Sequence, residues 1–114
     1  EAHRLFAGIA DVALSRLDEF NPQGLANTAW AFATAGFEAP WLFEAIADTA
    51  SSRWGDFMKQ DLSMTAWAFA KAGVEAHRLF AGIADVALSR LDEFNPQGLA
   101  NTAWAFATAG FEAP

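Results

Sequence analysis

Residues 21–36 read NPQGLANTAWAFATAG, and the same letters return at residues 95–110. The segment opens with Asn21 and Pro22, a pair suited to start a helix. Asn caps free backbone N–H groups, and Pro at the first helical position loses no hydrogen bond. The segment closes at Gly36, which favours a left-handed cap at a helix C-terminus. The pattern therefore predicts one helix over about residues 22–35.

The helix belongs to a repeat of 37 residues, because the hexapeptide TAWAFA occurs three times at that spacing. Residues 1–40 also recur without change as 75–114, whereas the middle repeat matches its neighbours at 21 of 37 positions. The period divides the chain into unit 1 (1–37), unit 2 (38–74), unit 3 (75–111) and a stub (112–114) that begins like unit 2. We therefore expect a piece of a longer array with a higher-order period of 74 residues.

Each unit also carries an amphipathic segment before this helix. In unit 1, Leu5, Ile9 and Ala13 fall on one side of a helical wheel, and Asp11 falls on the other. First helices are predicted at about 2–18, 39–54 and 76–92, and second helices at about 22–35, 59–72 and 96–109. Two helices cannot enclose the apolar second helix alone. We therefore predict an all-α fold, a right-handed α-solenoid of three stacked helix-turn-helix repeats with apolar end faces.

Composition and charge exclude several classes of protein. With 54% hydrophobic and 18% charged residues, the chain can bury a core and is not intrinsically disordered. It has no apolar run of the ~18 residues that a membrane span needs, so we expect no membrane partner. It has no cysteine, which excludes a disulfide scaffold and a thiol nucleophile. The net charge of −7 opposes nucleic-acid binding unless the acidic residues lie off the binding face.

Nothing in the sequence predicts an enzyme, a metal site or a cofactor. His3 and His77 occupy the same repeat position, 74 residues apart, and each lies beside an arginine. We interpret them as surface histidines at helix starts rather than as ligands or catalytic groups. Asp18 and Glu19 are adjacent, so their side chains diverge by ~100° on a helix and do not form a carboxylate pair.

A polar stripe on the second helix is the candidate binding site. Gln23, Asn27 and Thr34 fall within about 40° of one another on a helical wheel. The equivalent residues are Gln60, Met64 and Lys71 in unit 2, and Gln97, Asn101 and Thr108 in unit 3. The stripe carries no acid, and amides and hydroxyls can read the edges of unpaired bases. The alternative interpretation is an ordinary solvent-facing strip with a capping Gln.

Two further sets of side chains recur in every unit. Arg16, Arg53 and Arg90 lie at the border of the apolar side of the first helix. Each could contact a phosphate, or it could cover the core with its aliphatic stem and bind a backbone carbonyl. Trp30, Trp67 and Trp104 recur on the second helix. We expect them to pack between stacked units, with base stacking as the alternative if one ring face is open.

The second helix resembles the hallmark helix of octotricopeptide repeats, whose signature runs roughly PQxLANxxWAxAxxG. Residues 40–42, PWL, resemble the start of that family's first helix, and the 37-residue period is similar to that of heptatricopeptide arrays found beside RAP domains. The resemblance implies a helical-hairpin array that binds single-stranded RNA in chloroplasts or mitochondria and controls transcript stability, processing or translation. Unit 2 departs from the signature, with KQDLSM at residues 59–64.

The preferred hypothesis is thus a single-stranded RNA-binding array. The runner-up is a protein-interaction scaffold, which an acidic, Phe-rich array would suit, and the third alternative is a designed or consensus repeat without a natural ligand. Apolar end faces would also allow end-to-end self-association through heterologous contacts.

Overall fold

Six α-helices form the computed structural model, which describes residues 1–111 and places no β-strand among them. They are α1 (Ala2–Leu14), α2 (Pro22–Ala35), α3 (Pro40–Ser51), α4 (Lys59–Ala72), α5 (His77–Leu88) and α6 (Pro96–Thr108). Each unit contributes two consecutive helices, so the predicted all-α helical-repeat arrangement is confirmed. The predicted stub at 112–114 lies outside the described residues.

The first helix of each unit ends three or four residues earlier than predicted, whereas every other helix end agrees within one residue. A 3-10 turn follows each early end, at Leu17–Glu19, Trp54–Asp56 and Leu91–Glu93. The backbone leaves the helix at the arginine before each turn, with φ of −131° at Arg16. In unit 1 the Ser15 hydroxyl donates to the Val12 carbonyl at 2.8 Å, a local bond that competes with helix continuation.

The second helices start with two different caps. In unit 1, Asn21 Oδ1 accepts a hydrogen bond from the backbone N–H of Gly24 at 2.7 Å, and unit 3 repeats this bond. Unit 2 has Met58 at the cap position, and there the Asp61 carboxylate accepts the backbone N–H of Met58 at 3.0 Å. The cap bond therefore runs in the opposite direction in unit 2, and its second helix starts at the predicted residue without Asn or Pro.

The helices form two layers. In the inner layer α2, α4 and α6 lie side by side with α4 in the middle, and these are the most extensive helix contacts of the chain. Buried alanines such as Ala29, Ala66 and Ala105 allow this close approach. In the outer layer α1, α3 and α5 pack on one another more loosely. Edge-to-face phenylalanine pairs join the layers within each unit, as between Phe43 and Phe69 at 5.0 Å.

Both ends of the stack expose apolar side chains, as the sequence predicts. Leu5, Ile9 and Val12 are exposed on α1, and Leu91 and Leu99 are exposed in unit 3. The described residues measure 42 × 25 × 23 Å along their principal axes. Between residues 1 and 111, each helix is too short or too polar to serve as a membrane span.

Candidate functional site

The polar stripe lies on the outward face of the inner layer. Its side chains are exposed except for Met64 and Asn101, which are half-buried. Four of the nine predicted residues line one cleft of about 320 Å³ between the first turns of α4 and α6: Gln60, Met64, Gln97 and Asn101. The sequence placed these residues on equivalent positions, and the packing of α4 against α6 brings them together.

The other members of the stripe lie outside this cleft. Gln23 and Asn27 are exposed on α2. Lys71 lines a separate cavity of about 620 Å³ between units 1 and 2, together with Glu38, Glu44 and Glu75. Thr108 lines a third cleft, at the C-terminal end of α6. The stripe therefore divides into a part near the N-termini of α4 and α6, whose cleft has no acidic lining residue, and a part near the C-termini, where Lys71 lies beside glutamates.

The cleft between α4 and α6 has a favourable environment for electronegative groups. It is formed by the first turns of both helices, where free backbone N–H groups carry partial positive charge. Lys59 also lines it. Two acids adjoin cleft residues in sequence. Asp61 is buried and its carboxylate accepts the Met58 N–H, whereas Glu93 is exposed on the preceding 3-10 turn and does not line the cleft. An oxygen of a phosphate or of a base carbonyl inside the cleft would thus meet hydrogen-bond donors, and none of the residues that line the cleft is acidic.

The charges of the whole chain are divided between the two layers. Among residues 1–111, the second helices contain Lys59, Lys71 and Asp61 as their charged residues. The other twelve acidic residues of this range lie on the first helices, the 3-10 turns and the connecting loops. The net negative charge is therefore carried by the outer layer and the loops, whereas the face of the inner layer is close to neutral.

A ladder of indole rings crosses the same face. The ring centroids of Trp30 and Trp67 are 6.4 Å apart, and those of Trp67 and Trp104 are 6.1 Å apart. Neighbouring rings are tilted by 32° and 33°, so the indoles pack across the unit boundaries as expected. Trp30 and Trp104 are nevertheless exposed. By helical geometry each Trp lies in the polar stripe, at i+3 from Asn27 and its equivalents.

The recurring arginines of units 2 and 3 bind the preceding unit. Arg53 Nη1 donates to the Phe20 carbonyl at 2.6 Å, and Arg90 Nη1 makes the same bond to the Phe57 carbonyl. Each carbonyl belongs to the residue just before the cap of a second helix. Arg16 is exposed on the end face of unit 1. The arginines thus join neighbouring units, and their contact with phosphate stays a prediction.

The histidines pack against aromatic rings. His3 lies 5.1 Å from Phe37, and His77 lies 5.5 Å from Phe111, measured between ring centroids. Within residues 1–111 no three His, Asp or Glu side chains are grouped closely enough to hold a metal ion. Both imidazoles therefore have a packing role at the start of a first helix.

Sequence reasoning missed Lys59 and Ser63 as cleft residues. Lys59 stands where units 1 and 3 have proline, so this substitution was the available signal. The bond from the Met58 N–H to Asp61 at this helix start is a contact that helical periodicity does not predict.

Comparison with known families relates the chain as a whole to RNA editing. The family model described as RNA-editing substrate-binding complex 6 protein matches residues 2–113. This range is nearly the whole chain. No curated protein matches the chain. The match identifies an RNA-related helical-repeat family rather than octotricopeptide or heptatricopeptide repeats specifically. The chain therefore belongs to the family of RNA-editing substrate-binding complex 6 proteins.

Proposed function

We propose that this chain binds single-stranded RNA along the outward face of its inner layer, as part of an assembly that also contains protein partners. The observation that carries the proposal is the near-neutral face of α2, α4 and α6, which combines amides, a lysine and an indole ladder at the spacing of the units. The family name supports RNA as the ligand and a complex as the setting.

An acidic protein is expected to repel RNA, but in this chain the acidic residues are separated from the proposed binding face. Phosphates are repelled by exposed carboxylates, and these lie on the outer layer and the loops. The first turns of α4 and α6 and Lys59 offer donors to a phosphate or a base carbonyl. We therefore expect the RNA to follow the N-terminal half of the stripe and to avoid the glutamates around Lys71.

The indole ladder supports single-stranded rather than duplex RNA. Unpaired bases can stack on aromatic side chains, and each stacked base contributes ~1–3 kcal/mol. The exposed parts of Trp30 and Trp104 are available for such contacts. Asn27 and Asn101 lie one helical turn away on the same face and could select a base edge.

The finer proposal follows the octotricopeptide-like mode, in which each unit addresses one nucleotide. Units 1 and 3 then select the same base, because Gln23, Asn27 and Thr34 are identical to their equivalents in unit 3, with the first two on the N-terminal half of the stripe that the RNA follows. Unit 2 selects weakly, because Met64 forms no strong hydrogen bond. We place this activity in an organelle; an RNA-editing family is compatible with the mitochondrion and gives no support for the chloroplast.

The acidic outer layer is the proposed side for protein partners. Exposed acids such as Asp11, Asp48 and Asp85 lie on its three helices, so a basic protein surface would be complementary. The runner-up hypothesis, a protein scaffold without RNA contacts, rests on this same layer.

Fluorescence anisotropy with a labelled random-sequence single-stranded RNA tests the proposal. We expect weak, salt-sensitive binding by the 114-residue chain and quenching of its tryptophan emission as bases stack. Lys59→Gln should weaken binding several-fold at low salt. The matched control is Arg78→Gln, which removes the same charge from the exposed face of α5.

Equal losses in the two variants would contradict an inner-layer site. Absence of binding at low salt, with the protein folded by circular dichroism, would contradict RNA binding and favour the scaffold. Binding without tryptophan quenching would remove the ladder from the proposal.

A further inference from the structure

One interior contact explains how neighbouring units recognise each other. The 3-10 turn of unit 2 packs on α5 of unit 3, and Trp54 in that turn lies directly over Gly82. A Cβ atom built on Gly82 would overlap three atoms of the Trp54 indole, including Nε1. The indole therefore occupies a hole that exists because residue 82 has no side chain.

The junction between units 1 and 2 uses a different pair. The turn Leu17–Glu19 packs on α3 in the equivalent manner, with Leu17 buried where unit 2 has Trp54. The α3 position equivalent to Gly82 is Ala45. The smaller leucine thus accompanies alanine, and the larger tryptophan accompanies glycine. The size of the inserted side chain and the space left by the opposite residue therefore change together from one junction to the next.

The end face of unit 1 has the same space over a glycine, but no side chain is inserted into it. Helix α1 has the sequence of α5, and nothing lies within 4 Å of a Cβ atom built on Gly8. Leu5, Gly8, Ile9 and Val12 line an apolar groove of about 520 Å³ there. Ile9 is 42% exposed in this groove, whereas its equivalent Ile83 is completely buried under unit 2.

From these contacts we propose that the groove around Gly8 is a docking site for a helical-repeat unit of the unit 2 type, which inserts a tryptophan from its 3-10 turn. The occupant is defined by the interior of the same molecule, where an identical helix face is covered by such a unit. The free end of unit 3 is a poorer occupant, because it presents Leu91 at the position of Trp54. Leu91 over Gly8 would leave a void. The Trp–Gly and Leu–Ala pairs therefore enforce alternation of the two unit types.

The first test uses the 114-residue chain and makes the same Gly→Ala substitution at two equivalent positions. Gly82→Ala should lower the thermal midpoint, because its Cβ displaces the Trp54 indole. Gly8→Ala should raise the midpoint, because alanine is the better helix former and meets no neighbour. Trp54→Leu combined with Gly82→Ala recreates the Leu–Ala pair and should recover most of the lost midpoint.

The second test identifies the occupant. A copy of residues 38–74 is placed before Glu1 in one array, and a copy of residues 1–37 in a matched array. In the first array Gly8→Ala should become destabilising, because the hole is now filled by the tryptophan of the added unit. In the second array Gly8→Ala should remain stabilising or neutral. Without the substitution, the second array should have a lower thermal midpoint than the first array.

Three outcomes would overturn the proposal. Gly8→Ala could have the same sign in both arrays, or the added unit 1 copy could stabilise as much as the unit 2 copy. Sedimentation could also show that the 114-residue chain self-associates and that Gly8→Ala abolishes this association. The last result would assign a second copy of the chain, with Leu91, as the occupant.

Discussion

Units 1 and 3 have the same sequence and opposite burial. Leu5 on α1 is 63% exposed, whereas the identical Leu79 on α5 is 1% exposed. In the second helix the relation is reversed, since Leu25 is 1% exposed and Leu99 is 43% exposed. Unit 2 covers unit 1 on the face that carries Leu25, and it covers unit 3 on the opposite face, which carries Leu79. The difference shows that burial in this array belongs to the junctions between units rather than to the units themselves.

The largest expected effect comes from truncating a first-helix leucine in both units. Leu79→Ala should lower the free energy of unfolding by about 2–4 kcal/mol, because it leaves a cavity under unit 2. Leu5→Ala should change it by less than about 0.5 kcal/mol, since the side chain is exposed. Urea denaturation followed by circular dichroism measures both. Equal effects would show that the α1 face is covered in solution, for example by self-association.

The second comparison concerns the second helix, where the leucine of unit 1 is buried and that of unit 3 is exposed. Leu25→Ala should destabilise the chain by about 2–4 kcal/mol and Leu99→Ala by about 1 kcal/mol. The contrast is smaller than for the first pair because Leu99 remains partly covered. The same denaturation experiment applies. A larger loss from Leu99→Ala would mean that the exposed face of α6 is an interface.

The third comparison concerns the arginines that join the units. Arg90→Ala should cost about 1 kcal/mol, because the Phe57 carbonyl loses a charge-assisted hydrogen bond in a partly exposed site. Arg16→Ala should leave the urea midpoint unchanged. If Arg16→Ala instead weakens RNA binding while stability stays constant, the phosphate-contact prediction holds for unit 1.

The last comparison concerns base selection rather than stability. Asn27→Ala and Asn101→Ala should leave stability unchanged and each weaken binding of the preferred RNA by about 1 kcal/mol, roughly fivefold. Selection from a random single-stranded RNA pool by a longer array of alternating units should enrich a two-nucleotide period. An enriched pool without alternation, or one that ignores both substitutions, would contradict one-base-per-unit recognition.

The sequence predicted the helices well where the signals are local. Helix α2 begins and ends at the predicted residues, with Asn-Pro at its start and Gly after its end. Such signals are reliable because helix ends are set by the residues next to them. The first helices were predicted too long. Their apolar periodicity continues through Leu17 and Phe20, but Leu17 is buried from a 3-10 turn rather than from a helix, and Phe20 is half-buried directly after that turn.

The candidate site shows the same division. The wheel positions of Gln60 and Asn101 follow from helical periodicity alone. Their meeting in one cleft depends on how α4 packs against α6, and the burial of Asp61 beside that cleft accompanies its bond to the Met58 N–H. Neither contact leaves a periodic signal in the sequence.

The sequence by itself determined the repeat, the helical type of each segment and the segregation of acids to one set of helices. These properties depend on spacing, caps and composition, which are identical wherever the same letters occur. The tertiary structure decided which of two identical leucines is buried, which arginine binds a carbonyl and which glycine receives an indole. Those outcomes depend on the neighbouring unit, so the same 37 residues have different physical surroundings at the two ends of one chain.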